Sequence, residues 1–296
     1  MITNAFVETE GNTNNNSYSW VNGNKDYYSF NAYTDYEHTF AEKHYVKAML
    51  GFNQELTKYN TTTATRQNLI SQDLPSMSLG TGMQTVSESG YEWALRGGFF
   101  RLNYVFNDRY LLEVNGRLDG SSKFPSDSQY AFFPSVSAGW RVSQEPFWKV
   151  PEEIFSNLKV RASYGSLGNG NIDPYSFQEL FKIKQSSLVL NGIRPQYTGQ
   201  PAVIPLGLTW EKSTTLNLGL DFAFLSNRLQ FSGDIYQRKT TDMFTVGMSL
   251  PAVFGTDVPK GNYADLTTKG FELSVSWRDQ FQLASKPFNY EVRFTL

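Results

Sequence analysis

The residues best suited to chemistry in this chain do not assemble into a catalytic set. Two histidines, His38 and His44, flank the tripeptide Ala41, Glu42, Lys43, and there is no cysteine. A zinc site needs three or four convergent ligands, and a Ser/His/Asp arrangement needs a placed imidazole. Glu113 and Asp119 stand on one extended run, about 20 Å apart by strand rise, which is too far for a glycosidase pair. The glycine-rich "GSLGNGN" at residues 165–171 is followed by a proline-containing stretch, whereas a phosphate-cradling loop opens a helix. Neither catalysis nor a cofactor or metal is expected.

A different set of polar residues recurs strand after strand: Glu113, Asn115, Arg117, Asp119, Arg161, Asp221, Asp234, Arg238, Glu272 and Arg278. Most alternate with apolar neighbours, and "NDRYLLEVNGRLDGSSKF" places Tyr110, Leu112, Val114 and Leu118 opposite the charged residues. A period of two describes an extended strand with one apolar and one polar face. "TTLNLGLDFAFL" repeats the pattern with Leu216, Leu218, Leu220, Phe222 and Phe224 against Asn217 and Asp221. "LTTKGFELSVSWRD" does so with Phe271, Leu273, Val275 and Trp277.

Composition fits strands. Of 296 residues, 40% are hydrophobic and 16% aromatic, yet mean hydropathy is -0.41. Aromatic-rich strands with many turn formers favour β structure. The net charge of -2, without a basic block, lacks the footprint of a nucleic-acid binder. No apolar run reaches the ~20 residues of a spanning helix, a test that a β-barrel escapes. The start "MITNAFVETEGNTNNNS" shows no signal-peptide pattern, so a cytosolic protein or a truncated start is expected.

The connections also alternate. "AEK", "NDR" and "SN" are tight turns, whereas residues 57–92, 168–208 and 245–262 form long polar excursions, expected as loops. A short helical turn is expected within "QEPFWKVPEEIFSN". Short turns at one end, long loops at the other and aromatic girdles characterise outer-membrane barrels. Trp93, Trp140, Trp210, Trp277, Tyr110 and Tyr263 lie near strand ends, where a girdle would sit. A β-sandwich also alternates apolar and polar positions, but its strands are usually shorter. The fold expected is all-β: an antiparallel, up-and-down transmembrane β-barrel, partial, forming an open curved sheet of about ten strands. Residues 1–26 are expected as a loop or truncated start, and 27–296 as the barrel part.

Six segments carry a resemblance as a set and in order: "FAEKHYVKAMLGFNQE", "FFRLNYVFNDRYLLEVNGRLDGSSKF", "FFPSVSAGWRVSQEPF", "LKVRASYGSLGNGNI", "LTWEKSTTLNLGLDF" and "YADLTTKGFELSVSW". They resemble the middle of the barrel of the SusC/RagA family of TonB-linked outer-membrane proteins. The resemblance implies a bacterial outer-membrane location, in contact with outer-membrane lipid. It also implies nutrient import, of oligosaccharide or peptide, with a SusD-like surface lipoprotein as lid. The TonB complex would act through an N-terminal part not represented in this sequence. No nucleic acid and no cofactor are implied. The polar set would line the lumen, and aromatic residues of the long loops, Tyr59, Tyr175, Tyr197 and Phe254, would contact ligand or lid. A soluble all-β carbohydrate-binding module and a non-transporting adhesion barrel are the alternatives.

Overall fold

In a computed structural model, the chain is described at residues 16–201, 203–205, 207–247, 249, 251, 253 and 258–296. Twelve strands follow in chain order: β1 Ser17–Phe40, β2 His44–Gln67, β3 Gln84–Phe106, β4 Tyr110–Ser121, β5 Tyr130–Arg141, β6 Phe155–Asn169, β7 Ile183–Gln185, β8 Gln196–Thr198, β9 Glu211–Phe224, β10 Leu229–Val246, β11 Lys260–Leu283 and β12 Lys286–Thr295. Ten of them form one sheet in the order β1-β2-β3-β4-β5-β6-β9-β10-β11-β12, and β7 pairs with β8 in a small hairpin. Neighbours run antiparallel from β4 through to β12. The sheet is open, with β1 and β12 as its edges. Among the described residues the apolar face is left exposed, with no facing sheet of the kind the sandwich alternative requires.

The chain divides into two compact units, one holding residues 16–30 with Gln54–Leu95 and the other Asn31–Asn53 with Arg96–Leu296. In the first, β1 starts at Ser17, so residues 17–26 are strand and not the expected loop; the stretch before them lies outside the described residues. The expected loop at 57–92 is likewise mostly strand, since β2 runs to Gln67 and β3 begins at Gln84. These stretches are rich in threonine, which suits a pleated surface, but they are polar on both faces and give no period-two hydropathy signal. Side chains pair across them: Ser19 with Thr65 at 2.8 Å, Lys58 with Glu92 at 3.4 Å, and the Tyr59 ring on Tyr91 at 5.1 Å.

In the second unit, register places the apolar residues together. Leu112 faces Ala138, Val160 faces Leu220, Leu218 faces Ile235, and Ile235 faces Phe271. These side chains are open to the surroundings, with Leu218 49%, Ile235 60% and Phe271 62% exposed. On the opposite face the Asp221 and Asp234 side chains are only 26% and 16% exposed. This is the reverse of a water-soluble sheet, where buried charge and bare leucine both cost free energy. From Leu216 to Phe224 the band covers about 27 Å of strand, near the apolar height of an outer-membrane wall once tilt is allowed for.

Tight connections gather at one end. Ala41 and Glu42, Asn107 and Asp108, and Ala284 and Ser285 all have positive φ, from 48° to 62°. Paired left-handed residues give the primed turns whose twist matches antiparallel strands. Asn and Asp tolerate that conformation, whereas Ala, Glu and Ser occupy it at a cost of about 1 kcal/mol each. The "QEPFWKVPEEIFSN" stretch holds no α-helix among the described residues; a three-residue 3-10 turn, Val142–Gln144, ends on its first residue. At the other end of this unit run the long connections after β6 and β10.

Candidate functional site

The polar face is held together by side chains from adjacent strands. Arg161 on β6 stands opposite Gly219 on β9. Its guanidinium grips Asp221 with two hydrogen bonds, Nε to Oδ2 at 2.7 Å and Nη2 to Oδ1 at 2.8 Å. It reaches Asp234 on β10 at 3.1 and 3.0 Å, and Ser232 donates to Asp221 at 2.7 Å. Gly219 permits this, because a Cβ there would come within 2.7 Å of the guanidinium carbon. Two carboxylates around one bidentate arginine tie three strands together without a net buried charge larger than one.

A second cluster lies on β2 to β4. Arg117 binds both oxygens of Asp119 at 2.6 and 2.7 Å, donates to Asn53 Oδ1 at 2.8 Å and lies 5.7 Å from the Phe99 ring centre. Beside it, Asn103 and Asn115 both donate to Glu113, and Arg101 donates to Asn115 at 2.9 Å. Near the short-turn end, Glu291 accepts from Arg278 at 3.0 Å and from Arg293 at 2.8 Å. Arg238 makes a long bond to Thr215, 3.4 Å, and lies 6.0 Å from the Tyr236 ring centre. Glu272 sits directly opposite Asp234 in register, is exposed, and has no partner among the described residues. The ten sequence-derived residues thus share one face, eight of them engaged with neighbours and two, Arg238 and Glu272, largely open.

Between the clusters is a hollow of about 330 Å³ floored by small residues, including Ser137, Gly139, Ser163 and Gly219. Lys159 and Asn217 also line it, and Asn217 Oδ1 is buried without a hydrogen-bond partner among the described residues. A second hollow of about 560 Å³ adjoins Lys159, Asp221, Ser232, Ser276 and Arg293. Such shallow, charged depressions suit wetted contact with a polar surface better than enclosure of a small apolar ligand.

The aromatic residues divide in an unforeseen way. Tyr110 and Trp140 stand opposite one another on the apolar face near the short-turn end, as a girdle requires. Both donate to Glu145, at 2.6 and 2.9 Å, and Arg109 adds an ion pair at 3.4 Å. Those hydrogen bonds, Tyr110 first and Trp140 next, hold the Glu145 carboxyl below the usual carboxylate range, against the opposing effect of its burial. Trp277 joins the girdle and bonds Tyr290 at 3.3 Å. Trp210, by contrast, is buried at the long-connection end against Phe124 and Phe133, its indole donating to Gln129 O at 3.0 Å. It is a packing residue that folds the connection after β6 back upon β5.

Of the four proposed contact aromatics, Tyr59 is on a strand and not in a loop, stacked on Tyr91 and flanked by Thr57 and Thr61, whose buried hydroxyls have no partner among the described residues. Tyr175 occupies a turn at φ 67°, Tyr197 lies on β8 and is 51% exposed, and Phe254 lies outside the described residues. His44 bonds the Tyr104 hydroxyl at 2.8 Å, and His38 packs edge-on to Phe40. Asn53, Arg101, Asn103, Ser232 and Glu291 escaped the sequence reading. Arg101 and Asn103 carried a usable signal, alternating with Phe100, Leu102 and Tyr104.

A lipid-ready face backed by a stitched polar face is the wall of a membrane barrel, and the family profile described as TonB dependent receptor-like, β-barrel, matches residues 2–295. The chain belongs to that family. TonB-dependent receptor P26 of Formosa agariphila is 36% identical over 218 residues, 73% of this chain and 21% of the relative. TonB-dependent receptor SusC of Bacteroides thetaiotaomicron is 33% identical over 208 residues, 67% of this chain and 20% of SusC. The RagAB peptide importer in its closed-closed state shares the fold with a TM-score of 0.79, at 24% identity, over 94% of this chain and 31% of that one. The chain is thus of the SusC/RagA type, an outer-membrane β-barrel wall, and spans about a fifth of the length of these curated relatives.

Proposed function

We propose that this chain forms part of the wall of a TonB-dependent nutrient importer of the bacterial outer membrane, its polar face lining the lumen and its long connections meeting ligand and lid. The observation that carries this is the inversion of exposure: leucines bare on one face, carboxylates half-buried on the other. The lumen wall does not perform covalent chemistry; it offers Glu272, Arg238, Lys159 and Asn217 to a polar surface within the barrel. Energy from the TonB complex enters through parts of the protein beyond this chain. The substrate is an oligosaccharide or a peptide, and the partner is a SusD-like surface lipoprotein seated over the long-connection end. The β7–β8 hairpin, with Tyr197 exposed on it, and the Tyr59–Tyr91 stack are the contact surfaces, since recognition resides on connections held by a rigid scaffold.

Removing residues 186–194, the tip of that hairpin, from the full-length transporter tests this. Uptake and co-purification of the lipoprotein should fall at least tenfold while the amount in the outer membrane stays unchanged. Unaltered uptake and capture would contradict the assignment of recognition to this connection.

A further inference from the structure

Above the apolar band, on the same face, three lysines stand in neighbouring strands: Lys212 on β9, Lys239 on β10 and Lys269 on β11. Register fixes their relation. Lys212 faces Thr241, so Lys239 is its diagonal neighbour; Lys239 faces Thr267, so Lys269 is diagonal in turn. Diagonal positions on one sheet face lie about 7–8 Å apart, and flexible four-carbon stems let ammonium groups on that spacing converge on one anion. The line falls two residues per strand, following the upper limit of the band, whose last apolar residues are Leu216, Ile235 and Phe271. Each lysine therefore sits two or four positions beyond the apolar edge, roughly 7–14 Å along its strand. Thr214, Gln237 and Thr267 fill the places around them and add hydrogen-bonding groups.

All three lysines are exposed, and none has an ion-pair partner among the described residues. Elsewhere on the sheet, comparable cations are satisfied: Lys58 by Glu92 at 3.4 Å, and Arg96 over the Tyr130 ring at 5.2 Å. The carboxylates next along these strands are Glu211, beside Lys212 but on the other face, and Asp242 and Asp265 at a bulge level with Lys212, where Asp265 Oδ1 accepts the Asp242 amide at 3.1 Å; none of them forms an ion pair with these lysines among the described residues. Three uncompensated cations in a row repel one another unless an anion sits among them.

We propose that Lys212, Lys239 and Lys269 form a binding site for the phosphorylated headgroup of an outer-leaflet glycolipid, its acyl chains lying on Leu216, Ile235 and Phe271 beneath. The lysines are at the long-connection end, which faces outward in such barrels, so the site rests on the membrane orientation proposed above. A cation near an anionic membrane surface contributes roughly fivefold in affinity, and three together about 100-fold.

The test uses the full-length barrel in detergent, with bound lipid counted by native mass spectrometry as lipid A or the same glycolipid stripped of phosphate is added. The unaltered protein should prefer the phosphorylated form about 100-fold. K212Q/K239Q/K269Q should lose that preference, and K212R/K239R/K269R should keep it. Equal binding of the two glycolipids to the unaltered protein, or a preference surviving in the glutamine variant, would overturn the site. Displacement of lipid A by inorganic phosphate alone would overturn its assignment to a lipid. If neither glycolipid bound any of the three proteins, the membrane-facing assignment of this sheet face would fall as well.

Discussion

The outer stretches of β2 and β3 and the middle of β9 and β10 are both paired strand, yet they were built under opposite demands. In β9 and β10 one face is apolar and exposed and the other meets polar groups, so Leu216, Leu218 and Leu220 alternate with Asn217 and Asp221. In residues 57–67 of β2 and 84–92 of β3, both faces are polar and cohesion comes from ladder bonds, polar side-chain pairs such as Lys58–Glu92 and Asn60–Glu88, and one stacked tyrosine pair. Alternation in a sequence reports that two solvents meet a strand, not that a strand is present.

The largest effect should come from reversing a face in the lipid-bearing region. Leu218→Arg puts a charge on the apolar side between Ala162 and Ile235 and should cost ~2–4 kcal/mol, whereas Asn217→Arg should cost well under ~1. Urea unfolding of the reconstituted full-length protein measures both, and equal losses would erase the distinction between the faces. Next in size is Arg161→Met, which leaves Asp221 and Asp234 facing each other half-buried. It should cost about 2 kcal/mol, since removing one partner strands the other charges. Gly219→Val should cost a similar amount by displacing the same guanidinium, and the two together should fall short of additive.

Tyr59→Ala removes the stack on Tyr91 and should cost about 1 kcal/mol, felt only locally. Hydrogen exchange should quicken in residues 54–66 and 84–92 and stay unchanged in β9 and β10. Spread of the change into β9 would show that the polar stretches are not energetically separate. The smallest effect concerns Glu145. Its carboxyl is held below the usual range by Tyr110 and Trp140, so the stabilisation it gives is present above the ordinary carboxylate pKa. It is lost as pH falls through the depressed folded value. Trp140 fluorescence should therefore change only under acid conditions, and Glu145→Gln should remove the transition.

Much of this was legible beforehand, for physical reasons. Turn chemistry and alternation located β4, β5, β6, β9, β10 and β11, and parity alone put all ten polar candidates on one face. The strand pairs invisible in sequence were those polar on both sides. Trp210 misled because its position near a strand end suits a girdle, yet the connection before it folds inward and buries it against Phe124. Gly219 was silent too, since its role exists only through Arg161, fifty-eight residues earlier, lying over it. Glu145 gave no sign because it reaches the girdle from a connection.

The most direct test of the two-faced wall is a nitroxide scan of residues 214–223 in the full-length protein in bilayers, made simple by the absence of cysteine from this chain. Oxygen accessibility should peak at 216, 218, 220 and 222, and a water-soluble nickel relaxant should peak at the positions between, oscillating with a period of two. A flat profile, or oxygen maxima at Asn217 and Asp221, would contradict the assignment of the apolar face to lipid and the polar face to the lumen.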